Sequence, residues 1–175
     1  MLTIVFSLAF FFCASGLLLL SARSDWNGMV IPNEYSLALV GLFLFGVVIP
    51  RHLFDGISLI GGLTGGLLVF IVTIILYAGR AMGAGDTKLA GATALLVGTG
   101  YIGIFLLVMA LTGGLLAVYA LLTRKHGAKL LPAAPVPGTW LAQLKDGQNK
   151  VPYGLAIAAG GMVALAAKWV VPSLS

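Results

Sequence analysis

Residues 89–122 read LAGATALLVGTGYIGIFLLVMALTGGLLAVYALL, an apolar run of 34 residues that contains no charge. A helix that crosses a bilayer needs roughly 17–25 apolar residues, so this run is long for one crossing and short for two. The segment that interrupts it is V-G-T-G at residues 97–100, and glycines spaced in this way mark a turn. We therefore divide the run into a short helix at about 88–98 and a full helix at about 101–122.

The composition of the whole chain is that of a membrane protein. Of its 175 residues, 60% are hydrophobic and 9% are charged, and the mean hydropathy is +1.09. Soluble domains average about 25% charged residues. These values exclude a soluble globular domain, a disordered chain and a nucleic-acid-binding module, and they predict an all-α, polytopic integral membrane protein. A lone cysteine, Cys13, excludes a disulfide framework and a C-x-x-C zinc site.

Four further apolar runs flank the divided one and bring the predicted number of transmembrane helices to six. We assign them to a single membrane-embedded domain at 1–175. The helices are expected at about 2–22, 34–50, 56–78, 88–98, 101–122 and 152–171, and the long loop between the last two at 123–151.

The distribution of Lys and Arg tests this division. With six spans and both termini outside, eight cations lie on the cytoplasmic side and two on the outer side. Treating 89–122 as one span gives four against six, which is no convincing bias. Because cytoplasmic loops are enriched in Lys and Arg, the count favours six spans. The outer cations are Arg51 and Lys168, and the cytoplasmic ones are Arg23, Arg80, Lys88, Arg124, Lys125, Lys129, Lys145 and Lys150.

Two segments leave an alternative open. The first helix could be a secretory signal peptide, but no cation precedes its apolar stretch and the first one, Arg23, follows it. In the loop, prolines oppose continuous helix. A short interfacial helical turn at 139–145, anchored by Trp140, and a solvated basic linker both fit the sequence there.

Position separates the five carboxylates into one pair and three others. Ionisable residues at membrane depth are costly and are functional candidates by default. Asp25 ends helix one and Asp86 begins helix four, so two spans separate them and both emerge on the same membrane face. Asp55 and Glu34 suit the starts of helices three and two, and Asp146 lies in a turn-like context.

A close pair of carboxyl groups has a specific chemistry. Like charges at short range raise one pKa, so one group can be ionised while the other stays protonated. The ionised group can take a proton from water, and the protonated one can donate to a scissile carbonyl. That is aspartic peptide hydrolysis, which needs neither metal nor cofactor. The two histidines, His52 and His126, fall on opposite sides, so a His-based metal site is not expected.

Three segments resemble the type IV prepilin peptidases, membrane aspartyl proteases with a Gly-x-Gly-Asp signature. One is Asp25 followed by I-P-N at 31–33, the second is G-A-G-D-T-K at 83–88, and the third is V-P-Y-G at 151–154. The resemblance implies that Asp25 and Asp86 are catalytic.

The signature also assigns supporting residues. Gly83 and Gly85 match its glycines, and Lys88 matches its basic residue. Lys88 has two interpretations: as a topological cation, or as a charge that tunes the aspartate pair.

The same resemblance implies a substrate and a location. Members cleave a short, positively charged leader from prepilins, just before the apolar helix, at the cytoplasmic face of the bacterial inner membrane. The expected partners are the prepilin and the lipid bilayer, with no nucleic acid. Longer members have an N-terminal region with paired C-x-x-C motifs and also methylate the new N-terminus. The sequence begins with helix one, so we expect the short form that serves Flp (tight-adherence) pili, and we do not predict methyltransferase activity.

Two other classes of function fit parts of the pattern. A small proton-coupled transporter would use the same carboxylates, but such sites usually lie near the midplane in repeated halves. A non-catalytic pilus assembly subunit would explain the Gly-rich packing face at 61–66 but not the paired acids.

Overall fold

A computed structural model describes residues 2–50, 54, 56–126, 135–147 and 151–174. Within these ranges every regular element is helical, which confirms the predicted all-α class. The helices are α1 Leu2–Gly28, α2 Asn33–Val48, α3 Leu59–Ala78, α4 Ala84–Val97, α5 Ile102–His126, α6 Trp140–Lys145 and α7 Tyr153–Leu165, which continues through a π-helical turn, Ala166–Val170, into α8 Val171–Leu174.

Four helical segments in the described part of the chain are long and apolar enough to cross a membrane. They are Leu2–Gly28, Leu59–Ala78, Ile102–Thr123 and Tyr153–Val170, and α2 is a shorter apolar helix. The protein is therefore a helical membrane protein. Six crossings with both termini outside stay a prediction, because they require the shorter helices α2 and α4 to cross as well.

The division of the run at 89–122 is confirmed. Helix α4 ends at Val97, and α5 begins at Ile102. Gly98 has φ +72°, in the left-handed region that favours glycine. The N–H of Thr99 donates to the carbonyl of Gly61 at 3.1 Å, so this turn is held against the start of α3.

Helix α4 is the central element of the bundle. Most of its residues are buried, and it packs against α2, α3 and α7. The small face predicted on α3 allows this close approach. A Cβ on Gly62 would lie 2.7 Å from the carbonyl oxygen of Leu95, and one on Gly66 would lie 2.5 Å from the Leu95 side chain. The predicted role of these glycines in helix packing is confirmed.

Helices α1 and α4 extend beyond their apolar runs. Helix α1 continues to Gly28, and α4 begins at Ala84, so Asp25 and Asp86 lie inside helices instead of beside them. Hydropathy marks the apolar part of a helix, whereas capping and backbone hydrogen bonds set its ends. Helix α3 begins later than predicted, because Ser58 is its N-cap and accepts from the N–H of Gly61 at 3.2 Å. Asp55 lies outside the described residues.

The last helix holds the C-terminal end of α4. Within the π-helical turn, Lys168 Nζ donates to the carbonyls of Leu96 and Val97. The neighbouring Trp169 donates from Nε1 to the carbonyl of Gly56 at 3.2 Å. Lys168, which the sequence counts as an outer topological charge, therefore caps a helix end inside the bundle.

A short helix forms inside the long loop. Helix α6 begins at Trp140, whose side chain is buried against the rings of Trp26 and Tyr119, with centroid distances of 5.3 and 5.9 Å. Of the two sequence interpretations, the helical one is correct for residues 140–145. The anchor is packed against the bundle, and Asp146 at the end of α6 is exposed, as expected for a surface residue.

Candidate active site

Asp25 is a buried carboxyl held between two helices. It lies in the last turn of α1 and is only 5% exposed. Its Oδ2 accepts a hydrogen bond of 2.7 Å from the N–H of Gly154, in the first turn of α7. The hydrogen bond compensates for part of the cost of burying the carboxyl and fixes its orientation.

Asp86 is held by the start of its own helix. It is the third residue of α4, and its Oδ2 accepts from the N–H of Gly83 at 3.1 Å. This is the side-chain half of a capping box, which satisfies one of the free N–H groups of a helix start. The other oxygen, Oδ1, is buried and has no hydrogen-bond partner among the described residues.

The two aspartates line the same cavity, of about 410 Å³. It lies where the α1–α2 and α3–α4 turns meet the start of α7. This end of the bundle is called the aspartate end below. The cavity is lined by Asp25, Met29, Arg80, Ala81, Met82, Gly83, Asp86, Val151 and Tyr153. The predicted juxtaposition of the two aspartates is therefore observed, whereas their catalytic roles stay a proposal.

The signature glycines Gly83 and Gly85 are close-contact positions. A Cβ on Gly83 would lie 2.8 Å from Asp86 Oδ2, so a larger residue would disturb the carboxyl. A Cβ on Gly85 would lie 3.2 Å from the Cβ of Ile31. Since Ile31 belongs to the α1–α2 turn, Gly85 lets this turn approach α4.

Gly154 is the third close-contact position. A Cβ there would lie 2.9 Å from Asp25 Oδ2 and 2.9 Å from Ile31 Cδ1. Ile31 is buried and thus fits between Gly85 and Gly154. The three sequence segments that carry the family resemblance therefore meet around one side chain.

Two residues that line the cavity adopt left-handed backbone conformations. Met29 has φ 53° and Arg80 has φ 59°, and such values are uncommon outside glycine. Each ends a helix: the N–H of Met29 bonds to the carbonyl of Asp25, and that of Arg80 to the carbonyl of Tyr77, both at 2.9 Å. Left-handed residues of this kind frequently terminate helices, and strained conformations cluster at functional sites.

Lys88 contacts a different part of the molecule. Its Nζ donates to Asn33 Oδ1 at 3.0 Å, so it joins α4 to the start of α2. It lies two residues from Asp86, about 200° further around the helix, and it does not line the aspartate cavity. Of the predicted site residues, the structure brings Asp25, Asp86 and Gly83 to the cavity. It places Gly85 in the packing beside the cavity and Lys88 at the contact between α4 and α2.

The electrostatics of Asp86 favour a retained proton. Asp86 precedes the apolar run that begins at Leu89. Burial, first, and the negative charge of Asp25 raise the pKa of Asp86, and the hydrogen bond from Gly83 lowers it. Together these effects bring the pKa from 3.8 to about 7. This is the pattern of a carboxyl pair that holds a proton near neutral pH.

A larger cavity, of about 580 Å³, lies among α2, α3 and α4 and is called the α2–α3–α4 groove below. Its lining is mostly apolar and includes Lys88 but neither aspartate. Glu34 is exposed in the first turn of α2. Among the described residues, no group of three or more His, Cys, Asp or Glu side chains could hold a metal ion. The aspartate cavity is therefore the candidate site.

Sequence reasoning did not place Gly154, Met29 or Arg80 at the site. Gly154 had a signal in the sequence, because it ends the V-P-Y-G segment at 151–154 that carries the resemblance. Its contact with Asp25 could not be read from the sequence, because the two residues are 129 positions apart. Met29 and Arg80 gave no signal for a left-handed conformation, because neither residue type favours it.

Fold and site together define a helical membrane protein in which two carboxyl groups face one cavity at an end of the bundle. The model of the type IV leader peptidase family matches residues 5–118, which is more than half of the chain. The chain belongs to this family. The match includes Asp25 and Asp86 and ends before Gly154. Searches of curated proteins and of solved structures give no match.

Proposed function

We propose that the protein is an aspartic endopeptidase that removes the leader peptide of type IV, Flp-type prepilins, with Asp25 and Asp86 as its catalytic pair. One observation supports this most directly. In a chain of the leader peptidase family, two carboxyl groups from helices far apart in sequence line one cavity. The sequence resemblance adds the Flp-type substrate.

The proposed reaction uses one proton shared by the pair. The ionised carboxylate takes a proton from a water molecule, whose oxygen attacks the scissile carbonyl carbon. The protonated carboxyl donates its proton to the carbonyl oxygen. When the C–N bond of the resulting tetrahedral intermediate breaks, the leaving nitrogen takes the proton that the first carboxylate had accepted. A hydroxyl group of the intermediate returns its proton to the second carboxylate, so the products are a carboxylic acid and an amine and the pair again holds one proton. Because a close pair titrates as a unit, the acid and base roles are not assigned to single residues.

Supporting residues hold this pair in place. The N–H of Gly83 and the N–H of Gly154 each hold one carboxyl. Gly85 brings the α1–α2 turn against α4, and Lys88 ties α4 to α2 through Asn33. We therefore assign Gly83, Gly85 and Lys88 positioning roles and not chemical ones.

The proposed topology has six crossings, at the segments predicted from the sequence, with both termini outside. The aspartate end then faces the cytoplasm, where the positive-inside count places Arg23, Arg80 and Lys88. This orientation suits a substrate whose positively charged leader lies in the cytoplasm. The membrane would be the bacterial inner membrane.

The alternative functions have less support from the geometry. Transporter sites lie near the midplane at broken helices, whereas Asp25 and Asp86 lie at helix ends that flank one cavity. A non-catalytic assembly subunit would not need a buried and a half-buried carboxyl group in one cavity, because removing carboxyl groups from water is costly.

The test is cleavage of a full-length Flp-type prepilin by the purified protein in nanodiscs, with the product identified by mass spectrometry. Asp25→Asn and Asp86→Asn should each lower kcat by at least about 10³-fold, since each removes a group that transfers a proton. Asp146→Asn makes the same change at an exposed position and should cleave like the wild type. Near-normal processing by both single variants would rule out the proposed pair.

A further inference from the structure

A second, apolar cavity adjoins the aspartate cavity. It has a volume of about 260 Å³ and lies between α3 and α5. It shares Ala81, Met82 and Tyr153 with the aspartate cavity, so the two cavities lie side by side. We call it the lateral groove. Its other lining residues are Leu76 on α3 and Met109, Ala110, Gly113, Gly114 and Ala117 on α5.

The lateral groove runs along segments long and apolar enough to span a bilayer. Leu76 belongs to the candidate span Leu59–Ala78, and the α5 residues belong to Ile102–Thr123. Among the residues that the structure describes, no charged side chain lines the groove, whereas the aspartate cavity contains two carboxyl groups and Arg80. A polar cavity and an apolar one therefore lie next to each other.

The lateral groove also has room for an occupant. Helix α3 packs mainly on α4, and α5 packs mainly on α7, which leaves space between α3 and α5. A Cβ on Gly114 would meet nothing within 4 Å, and Leu76 is 42% exposed. Two of the lining side chains, Met82 and Met109, are methionines, which adapt to differently shaped partners.

We propose that the lateral groove binds the first turns of the substrate's apolar helix, on the C-terminal side of the scissile bond; this inference rests on the proposed function. A substrate cut just before an apolar helix must place a polar amide at the carboxyl groups and an apolar helix directly beside them. The lateral groove is an apolar surface that adjoins the aspartate cavity. Within the described part of the chain, the larger α2–α3–α4 groove shares no lining residue with that cavity.

The first experiment fills the lateral groove and compares two substrates. Gly114→Leu places a side chain into open space, so it should fold. Gly103→Leu is the matched control on the same helix, since a Cβ there also meets nothing within 4 Å and Gly103 does not line the groove. The substrates are the full-length prepilin and a short peptide that ends soon after the scissile bond.

The measured quantity is kcat/KM for the full-length prepilin divided by kcat/KM for the short peptide. Gly114→Leu should lower this ratio at least tenfold, mainly through KM, and Gly103→Leu should leave it at the wild-type value. An unchanged ratio in Gly114→Leu would overturn the proposal and leave lipid as the occupant of the groove. If the wild type cut neither substrate, the proposed function itself would fail, and this inference with it.

A second measurement does not depend on turnover. In an Asp86→Asn, Cys13→Ser background, uncut prepilin with one cysteine in the first turns of its apolar helix should form a disulfide with Ala110→Cys. It should not form one with Gly103→Cys or with Ala92→Cys, which lies in the α2–α3–α4 groove. Cross-linking through Ala92→Cys instead would overturn the assignment and place the helix in the larger groove.

Discussion

The N–H of Gly154 donates to Asp25 Oδ2 at 2.7 Å and so joins two residues that are 129 positions apart. This bond connects the last turn of α1 to the first turn of α7. Ile31 packs against the same glycine, 2.9 Å from the position a Cβ would occupy. The orientation of Asp25 therefore depends on a residue that has no side chain.

Gly154→Ala should impair cleavage more than stability. The new methyl group would lie 2.9 Å from Asp25 Oδ2, so the carboxyl or α7 must move. Misplacing a reacting group by about 1 Å can cost on the order of 10²-fold in rate. We expect a fall in kcat of about that size, measured on the prepilin in nanodiscs, with little change in the unfolding temperature. Gly103→Ala is the control, and wild-type kcat in Gly154→Ala would contradict the contact.

The pH dependence of cleavage should follow the proton on Asp86. Burial, chiefly, raises the pKa of Asp86 to about 7. Because the proposed reaction requires one proton on the pair, kcat/KM should fall as pH rises through about 7. The measurement is a pH–rate profile in nanodiscs on a substrate that has no group titrating in that range. A profile that stays flat to about pH 9 would show that no such proton is needed.

The same pKa shift predicts how stability depends on pH. An unfolded Asp releases its proton near 3.8, whereas Asp86 in the folded protein keeps its proton up to about 7. The folded state thus binds more protons between these values, so the free energy of unfolding falls as pH rises through that window. Asp86→Asn should reduce this slope and Asp146→Asn should not, as measured by chemical unfolding in detergent. Equal slopes in the wild type and Asp86→Asn would contradict the shift.

The sequence predicts the large features because hydropathy and charge act locally. The division at 97–100 and the shared side of Asp25 and Asp86 follow from counting apolar runs. The finer features depend on contacts between distant segments. Glycines stand at 28 and 79, where a left-handed helix end would be expected. The structure instead places that conformation on the next residues, Met29 and Arg80.

Gly62→Ala should destabilise the protein at the α3–α4 contact. A Cβ there would lie 2.7 Å from the backbone oxygen of Leu95, and backbone cannot move aside as a flexible side chain can. Gly41→Ala is the matched change on α2, where nothing lies within 4 Å, and it should stabilise by about 0.5–1 kcal/mol through helix propensity. We expect Gly62→Ala to lower the unfolding temperature and Gly41→Ala to raise it. A stabilised Gly62→Ala would show that the helices are not in close contact.

Lys168→Met should weaken the helix that bears Asp86. The lysine Nζ bonds to the carbonyls of Leu96 and Val97 at the end of α4. Losing hydrogen bonds from a charged group and leaving buried carbonyls unpaired costs about 1.5–3 kcal/mol. The free energy of unfolding in detergent should fall by that amount in Lys168→Met. Lys168→Arg should lose less stability, because the guanidinium can still donate to these carbonyls.

Lys88→Met provides the comparison for this prediction. Lys88 is exposed and bonds to the Asn33 side chain, where water can replace the lost partner, so its effect should be clearly smaller. If Lys168→Met were as stable as the wild type, Lys168 would not be a cap and would fit the sequence interpretation as an outer topological charge. If Lys88→Met lowered the free energy of unfolding more than Lys168→Met, the Lys88–Asn33 hydrogen bond between α4 and α2 would stabilise the protein more than the cap at the end of α4.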